Sequence, residues 1–115
     1  MNSGDMQRIQ HIKSYCEDIN QSIDRFGNKF NVFIKDKDYF NSVSMCLMQI
    51  GELSGTLSEQ FKEETKNQIQ WVAIRGMRNI FAHAYISIDK NIIWETATRN
   101  VPELLEFCNK IINSN

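Results

Sequence analysis

The sequence has little charge imbalance, a single proline and no long apolar run, and these shortages exclude several classes of protein. Thirteen basic and 14 acidic residues leave a formal net charge of −1 over 115 residues. No global field therefore attracts nucleic acid or a membrane surface, and a polyanion site would have to be a local cluster of basic side chains. The apolar runs are far shorter than the roughly 20 residues of a membrane-spanning helix. The first eleven residues also lack the apolar segment of a signal peptide.

Cysteine is also scarce. Cys16, Cys46 and Cys108 are odd in number and far apart, so they match neither a disulfide framework nor a metal-ligand pattern. Each falls in a predicted helix, and we interpret them as buried, reduced thiols of a cytoplasmic protein. Carboxylates do not cluster at metal-ligand spacing either. The sequence therefore predicts no metal site and no cofactor.

Apolar residues at spacings of three and four, the period of an amphipathic helix, dominate the chain. They predict a first helix of about six turns, which Asp5 caps and Gly27 ends, and a second helix that Asp36 or Asp38 caps. Residues 30–34 are interpreted as one helical turn or a packed connector.

Two glycines, Gly51 and Gly55, interrupt the second long helix. Each costs about 1 kcal/mol relative to alanine in a helix interior. Their four-residue spacing places them on one face, where a neighbouring helix could approach closely. Glu52, next to Gly51, is interpreted as a solvated helix charge.

The third long helix is predicted to start near Asn67, after a polar connector that contains a short helix begun at Ser58. Its wide apolar face predicts packing against two or more neighbours. Residues 85–89 alternate like a strand but are too few to form a sheet alone, so they are interpreted as an extended loop. The apolar face comprises Ile69, Val72, Ala73, Gly76, Met77, Ile80, Phe81 and Ala84.

Asp89 is predicted to cap a fourth helix, with Ile92, Ile93 and Ala97 facing inward. The segment Asn100-Val101-Pro102-Glu103 resembles a capping box with proline in the first turn, so the last helix restarts or kinks at Asn100. We find no internal repeat, linker or low-complexity segment. The predicted fold is an all-α antiparallel bundle of four main helices, the last kinked or broken, in a single domain over residues 1–115.

Groups that could bind a phosphate and move a proton gather in one place, at Arg78, Asn79, His83 and Tyr85. Asn79 and His83 lie one turn apart on the same face, so Asn79 could fix the histidine tautomer. Arg78 and His83 are about 140° apart on an ideal helix and converge only if the helix ends or loosens near His83.

These residue types suit cleavage of RNA by its own 2′-hydroxyl. Arginine binds two phosphate oxygens at once, and histidine takes or gives a proton near neutral pH. Arg75, one turn before Arg78, is a further candidate phosphate contact. The chain offers one such histidine, since His11 lies in a polar setting near the start, so a two-fold dimer would supply a second Arg78 and His83.

Plainer interpretations exist for each residue. A histidine at a helix end is most often a cap or a satisfied surface group, and an arginine on an amphipathic helix is most often solvated. Trp71 and Trp94 are typical of core or interface anchors. Tyr85 would by default be a half-buried tyrosine with its hydroxyl in water.

The pattern Arg78-Asn79, three residues, His83, one residue, Tyr85 resembles the R-x4-H-x-Y signature of HepT-like toxins in the HEPN superfamily. Ala84 departs from the resemblance, because many relatives carry glycine there, and this leaves the loop path after His83 open. The surroundings that also match the family are Ile50-Gly51-Glu52, Trp71, Gly76-Met77, Ile88-Asp89, Trp94 and Asn100-Val101-Pro102-Glu103-Leu104.

The resemblance implies a helical ribonuclease that acts on RNA as a homodimer, with Arg78 and His83 in the active cleft and no metal ion. It also implies a toxin–antitoxin pair, in which an MntA-like nucleotidyltransferase antitoxin transfers AMP from ATP to Tyr85. AMP would add negative charge and bulk two residues from His83, where RNA phosphate would otherwise lie.

Two other functions remain open on the sequence alone. A non-catalytic dimeric module that binds a nucleotidyltransferase is favoured by the weak net charge, because RNA affinity needs clustered cations. A nucleotide-binding helical domain is disfavoured, because Gly51, Gly55 and Gly76 lie within helical patterns and form no phosphate loop.

Overall fold

The computed structural model describes residues 1–83 and 89–114, without the side chains of residues 80–83. Every regular element in these ranges is helical, which confirms the all-α prediction. A π-helical turn, Thr96–Asn100, joins the last two helices. The α-helices are α1 (Ser3–Phe26), α2 (Phe30–Lys35), α3 (Lys37–Gly55), α4 (Glu59–Thr65), α5 (Trp71–His83), α6 (Lys90–Glu95) and α7 (Val101–Asn113).

The core forms where α1 packs against both α3 and α7, while α3 packs against α5 on another side. The isoleucines of α1 at positions 9, 12 and 19 are fully buried there, as are Leu47 and Ile50 of α3. The three cysteines are buried and unpaired, as predicted. In the described part of the chain, no helix combines the length and hydrophobicity needed to cross a membrane.

The prediction that Asp5 caps α1 is wrong. The cap is Asn2, whose side-chain oxygen accepts from the Asp5 N–H at 2.6 Å. Asp5 itself is buried, and its carboxylate accepts from the backbone N–H of Ser58 at 2.8 Å and from the Ser58 hydroxyl at 2.6 Å. Ser58 in turn caps α4 by accepting from the Phe61 N–H, as predicted. Asp5 therefore joins the start of α1 to the start of α4.

The junction between α1 and α3 follows the sequence signals closely. Gly27, with φ of 110°, ends α1 in a conformation that favours glycine. Residues 30–34 form part of the short helix α2, one of the two alternatives predicted for them. Of the two candidate caps for α3, the structure selects Asp36, which accepts from the N–H groups of Asp38 and Tyr39.

Helix α5 begins at Trp71, four residues after the predicted start near Asn67. The intervening chain forms a turn in which the N–H groups of Gln68 and Ile69 both donate to the Thr65 carbonyl. The predicted apolar face is also wrong in part, because Val72 is 90% exposed and Ala73 is exposed as well. One apolar edge of α5 thus faces away from the described core.

The break predicted at Asn100 is present, but a capping box does not cause it. Asn100 is helical and its side chain caps nothing. Instead the Val101 N–H donates to the Thr96 carbonyl, five residues back, which is the π-helical pattern. Pro102 explains this widening, because it has no N–H to donate and its ring would collide with the Thr98 carbonyl in an α-helix.

The predictions for α6 are mixed. Asp89 caps the helix by accepting from the Asn91 N–H, and Ile93 and Ala97 are buried as expected. Ile92, which was predicted to face inward, is half exposed. The loop predicted for residues 85–89 lies, except for Asp89, outside the described residues.

Candidate active site

Helix α5 lies so close to α3 that a glycine is required at their crossing. A Cβ added to Gly51 would lie 2.9 Å from the backbone nitrogen of Arg78 and 3.3 Å from the carbonyl oxygen of Ile74. Gly55, one turn later, lies against the guanidinium of Arg75. The prediction that the two glycines admit a neighbouring helix is therefore confirmed, and that neighbour carries the candidate arginines.

Arg78 forms an ion pair with Glu52, with 2.7 Å between Nε and Oε1. The two side chains are 42% and 51% exposed, so the pair faces solvent at the crossing of α3 and α5. Exposed pairs of this kind contribute roughly 0–1 kcal/mol to stability. Glu52 is an exposed helix charge, as interpreted, and it also pairs with Arg78, which was not predicted. The sequence carries no local signal for this pair, because it depends on the crossing of α3 and α5.

Arg75 and Asn79 lie on the exposed side of α5. They flank Arg78 in sequence, so two guanidinium groups and an amide occupy two successive turns of one helix. The arrangement places two positive charges and a hydrogen-bonding amide where a polyanion could reach them.

His83 is the last residue of α5 as described, and its side chain is outside the description, as is all of Tyr85. The convergence of Arg78 with His83 and the hydrogen bond from Asn79 to the histidine ring therefore stay predictions. So does the loosening of the helix near His83, since it concerns residues 84–88.

Comparison with known proteins identifies the family. Residues 8–111 match the ribonuclease HepT-like family. The chain belongs to this family. A protein of Caldanaerobacter subterraneus named as a putative RNase is 32% identical over 84% of this chain and 83% of its own length. A protein of Thermococcus cleftensis named as a probable ribonuclease HepT is 32% identical over 80% of this chain and 87% of its own length. No solved structure matches the chain.

In this HepT-like chain, two grooves flank the exposed edge of α5. One, of about 620 Å³, lies between α4 and α5 and includes Lys62, Lys66 and Arg75. Lys62 and Lys66 pair with Glu59 and Glu63, each three residues earlier, which offsets part of their charge.

The other groove, of about 300 Å³, separates α5 from the π-helical turn and α7, and Ala73, Ile74 and Met77 contribute to its lining. Within the described ranges, no three His, Cys, Asp or Glu side chains are grouped so that they could hold a metal ion.

Proposed function

We propose that this HepT-like protein is an endoribonuclease that cleaves RNA without a metal ion, with Arg78 and His83 as its catalytic residues. The observation that carries the proposal is the half-exposed guanidinium of Arg78, which Glu52 pairs at the helix crossing. Arg78 also lies within the family match, which spans the whole R-x4-H-x-Y segment. The names of the relatives, as RNases, support the same activity.

The proposed reaction uses the ribose 2′-hydroxyl as nucleophile. Its oxygen forms a bond to phosphorus as the bond from phosphorus to the 5′-oxygen breaks, which leaves a 2′,3′-cyclic phosphate. A base takes the 2′-hydroxyl proton and an acid donates a proton to the departing 5′-oxygen, and His83 suits these roles. Arg78 stabilises the negative charge on the phosphoryl oxygens. Asn79 orients His83, and Arg75 contacts a neighbouring phosphate.

A homodimer would bring two copies of these groups into one cleft. Each chain supplies one His83, whereas the reaction needs both a base and an acid. Association through α5 would cover Val72, which is 90% exposed, and the exposed Ala73 beside it. At 100° per residue, Asn79 and His83 fall within about 20° of Val72 around the helix axis. Association through this face would therefore bring Asn79 and His83 of the two chains close together, with Arg78 about 120° further around each helix.

We further propose that the protein is the toxin of a toxin–antitoxin pair and that an MntA-like nucleotidyltransferase neutralises it by AMP transfer to Tyr85. The position of Tyr85, two residues after His83, supports this. The phosphate of AMP would repel RNA phosphate and compete for Arg78. The modified protein would then cleave RNA far more slowly.

The test is incubation of the purified protein, free of any partner, with a mixed RNA pool in EDTA, beside His83→Ala and Arg78→Ala variants. We expect cleavage by the parent alone, with all three proteins eluting as dimers. A His83→Ala protein that cuts as fast as the parent would contradict the catalytic assignment. Intact mass on the same sample shows whether AMP is already attached, and comparison with Tyr85→Phe after treatment with the nucleotidyltransferase and ATP tests the acceptor.

A second function, a non-catalytic module that binds a nucleotidyltransferase, is favoured by the exposed apolar edge of α5 at Val72 and Ala73 and by the low net charge. An unmodified parent that binds the nucleotidyltransferase yet leaves the RNA pool uncut would support this function over the ribonuclease.

A further inference from the structure

Glu52 holds a candidate catalytic group without belonging to the R-x4-H-x-Y signature. We propose that it is a positioning residue of the active site, whose carboxylate fixes the Arg78 guanidinium through Nε so that the opposite edge of the guanidinium faces the scissile phosphate. This inference rests on the proposed ribonuclease function. It assigns to α3 a direct part in a site whose proposed catalytic residues, Arg78 and His83, lie on α5.

The Arg78–Glu52 pair differs from the other ion pairs in the described ranges. Those pairs join residues three or four apart along the chain, whereas this one joins α3 to α5. At 2.7 Å it is also a close contact, although both side chains are half exposed. A pair so exposed adds little to stability. Its geometry therefore favours a role in orientation over a role in folding.

The backbone around the pair limits where Arg78 can go. Gly51 precedes Glu52, and its missing Cβ lets the Arg78 backbone come within van der Waals contact of α3. The base of the Arg78 side chain is thus set by helix packing, and its far end by Glu52. A long side chain held at both ends loses less conformational entropy when it binds phosphate.

The guanidinium of Arg78 can bind the Glu52 carboxylate and a phosphate at the same time. Arginine presents five N–H donors along separate edges of a planar group. A carboxylate at Nε leaves the Nη1–Nη2 edge, which can bind two oxygens of a phosphodiester at once. Glu52 would therefore determine which edge meets the substrate, and the positive charge of Arg78 stays available to the transition state.

The test compares Glu52→Ala and Glu52→Gln with the parent, on the RNA oligonucleotide that the parent cuts best in the mixed pool. Misplacement of a catalytic group slows catalysis, so we expect Glu52→Ala to lower kcat roughly ten- to a hundredfold with little change in KM. Glu52→Gln keeps an oxygen that accepts from Nε and should recover a large part of kcat.

The matched control is Glu95→Ala, which removes another exposed carboxylate paired with an arginine, Arg99. It should leave kcat unchanged. Equal kcat in Glu52→Ala and Glu95→Ala would overturn the positioning role, as would faster cleavage by Glu52→Ala, which would mean that Glu52 blocks Arg78. A parent that cuts no RNA refutes the proposed function, and this inference with it, whereas an active parent with an unaffected Glu52→Ala variant refutes the inference alone.

Discussion

A hydrogen bond between two buried side chains, those of Trp71 and Thr65, lies at the start of α5. The Trp71 indole N–H donates to the Thr65 hydroxyl at 2.8 Å. The Trp71 ring packs edge-on against Phe107, with ring centroids 5.7 Å apart. Trp71 is therefore a core anchor, one of the two roles predicted for it, and Thr65 fixes where α5 begins.

We expect Thr65→Val to destabilise the fold by about 1–3 kcal/mol, because valine has nearly the same shape but leaves the buried indole N–H without an acceptor. Urea unfolding followed by tryptophan fluorescence measures the change. Thr96→Val is the control, since that hydroxyl donates only to the carbonyl of Ile92, four residues earlier in the chain. An equal loss of stability in both variants would show that the hydrogen bond from Trp71 to Thr65 does not stabilise the fold more than the one from Thr96 to Ile92.

Sequence reasoning identified most residue roles that depend on local spacing and missed those that depend on distant partners. Asp36, Ser58 and Asp89 cap helices as predicted, because a cap bonds N–H groups two or three residues along the chain. Asp5 has the same local pattern but bonds Ser58, 53 residues away. Glu52 and Arg78 meet only because α3 and α5 cross, so neither neighbourhood in sequence reveals the pair.

At the scale of the helices, the contact between α3 and α5 depends on two glycines that are not equivalent. At Gly51 a Cβ would meet the backbone of α5, which cannot move without displacing the whole helix. At Gly55 the atoms in the way belong to the flexible end of the Arg75 side chain. Substitution by alanine should therefore affect the stability of the fold differently at Gly51 and at Gly55.

We expect Gly51→Ala to be destabilising by about 1–3 kcal/mol through overpacking, despite the better helix propensity of alanine. Gly55→Ala should be neutral or slightly stabilising, since Arg75 can swing aside. Thermal unfolding of the two variants beside the parent gives the comparison. Equal stability of the two variants would contradict the close crossing, and a Gly51→Ala protein that folds should also lose RNA cleavage because Arg78 moves.

The helical type of the fold was predictable, whereas the predicted count of four main helices is not confirmed, and helix boundaries and faces were less predictable. The apolar period continues through residues 67–70, but the Thr65 carbonyl captures two N–H groups and delays α5 until Trp71. The sequence does not reveal the π-helical turn, because a proline such as Pro102 is equally typical of the first turn of a new helix. The exposed Val72 belongs to the same apolar period as the buried residues, and the period cannot distinguish a core from an unpaired face.

At the scale of the whole molecule, the ionisation of three buried thiols, one from each of three helices, is coupled to unfolding. Cys16 of α1, Cys46 of α3 and Cys108 of α7 are all buried. Burial raises the pKa of Cys16 strongly, and the nearby Cys108 and Cys46 add to the effect. Burial also raises the pKa of Cys46 to about 11 and that of Cys108 to about 12. An unfolded chain would ionise all three near its ordinary thiol pKa of about 8.5.

This difference predicts a loss of stability in alkali. Below pH of about 8.5 the thiols are protonated in both states, so their effect on unfolding does not vary with pH. Above it, the unfolded chain releases protons that the folded chain retains. Each thiol then lowers the free energy of unfolding by up to about 1.4 kcal/mol per pH unit, until the pH reaches its folded pKa. Tyr39, whose pKa burial also raises, adds to the loss at higher pH.

Urea unfolding at pH 7, 8, 9 and 10 measures this slope, and Cys16→Ala separates the contribution of one thiol from that of Tyr39. The variant should be less stable than the parent at pH 7, because it leaves a cavity. Its stability should nevertheless decline less between pH 9 and 10, since one proton fewer is released on unfolding. Parallel slopes for the two proteins would mean that Cys16 ionises as readily in the folded chain as in the unfolded one, and that the junction of α1, α3 and α7 admits water.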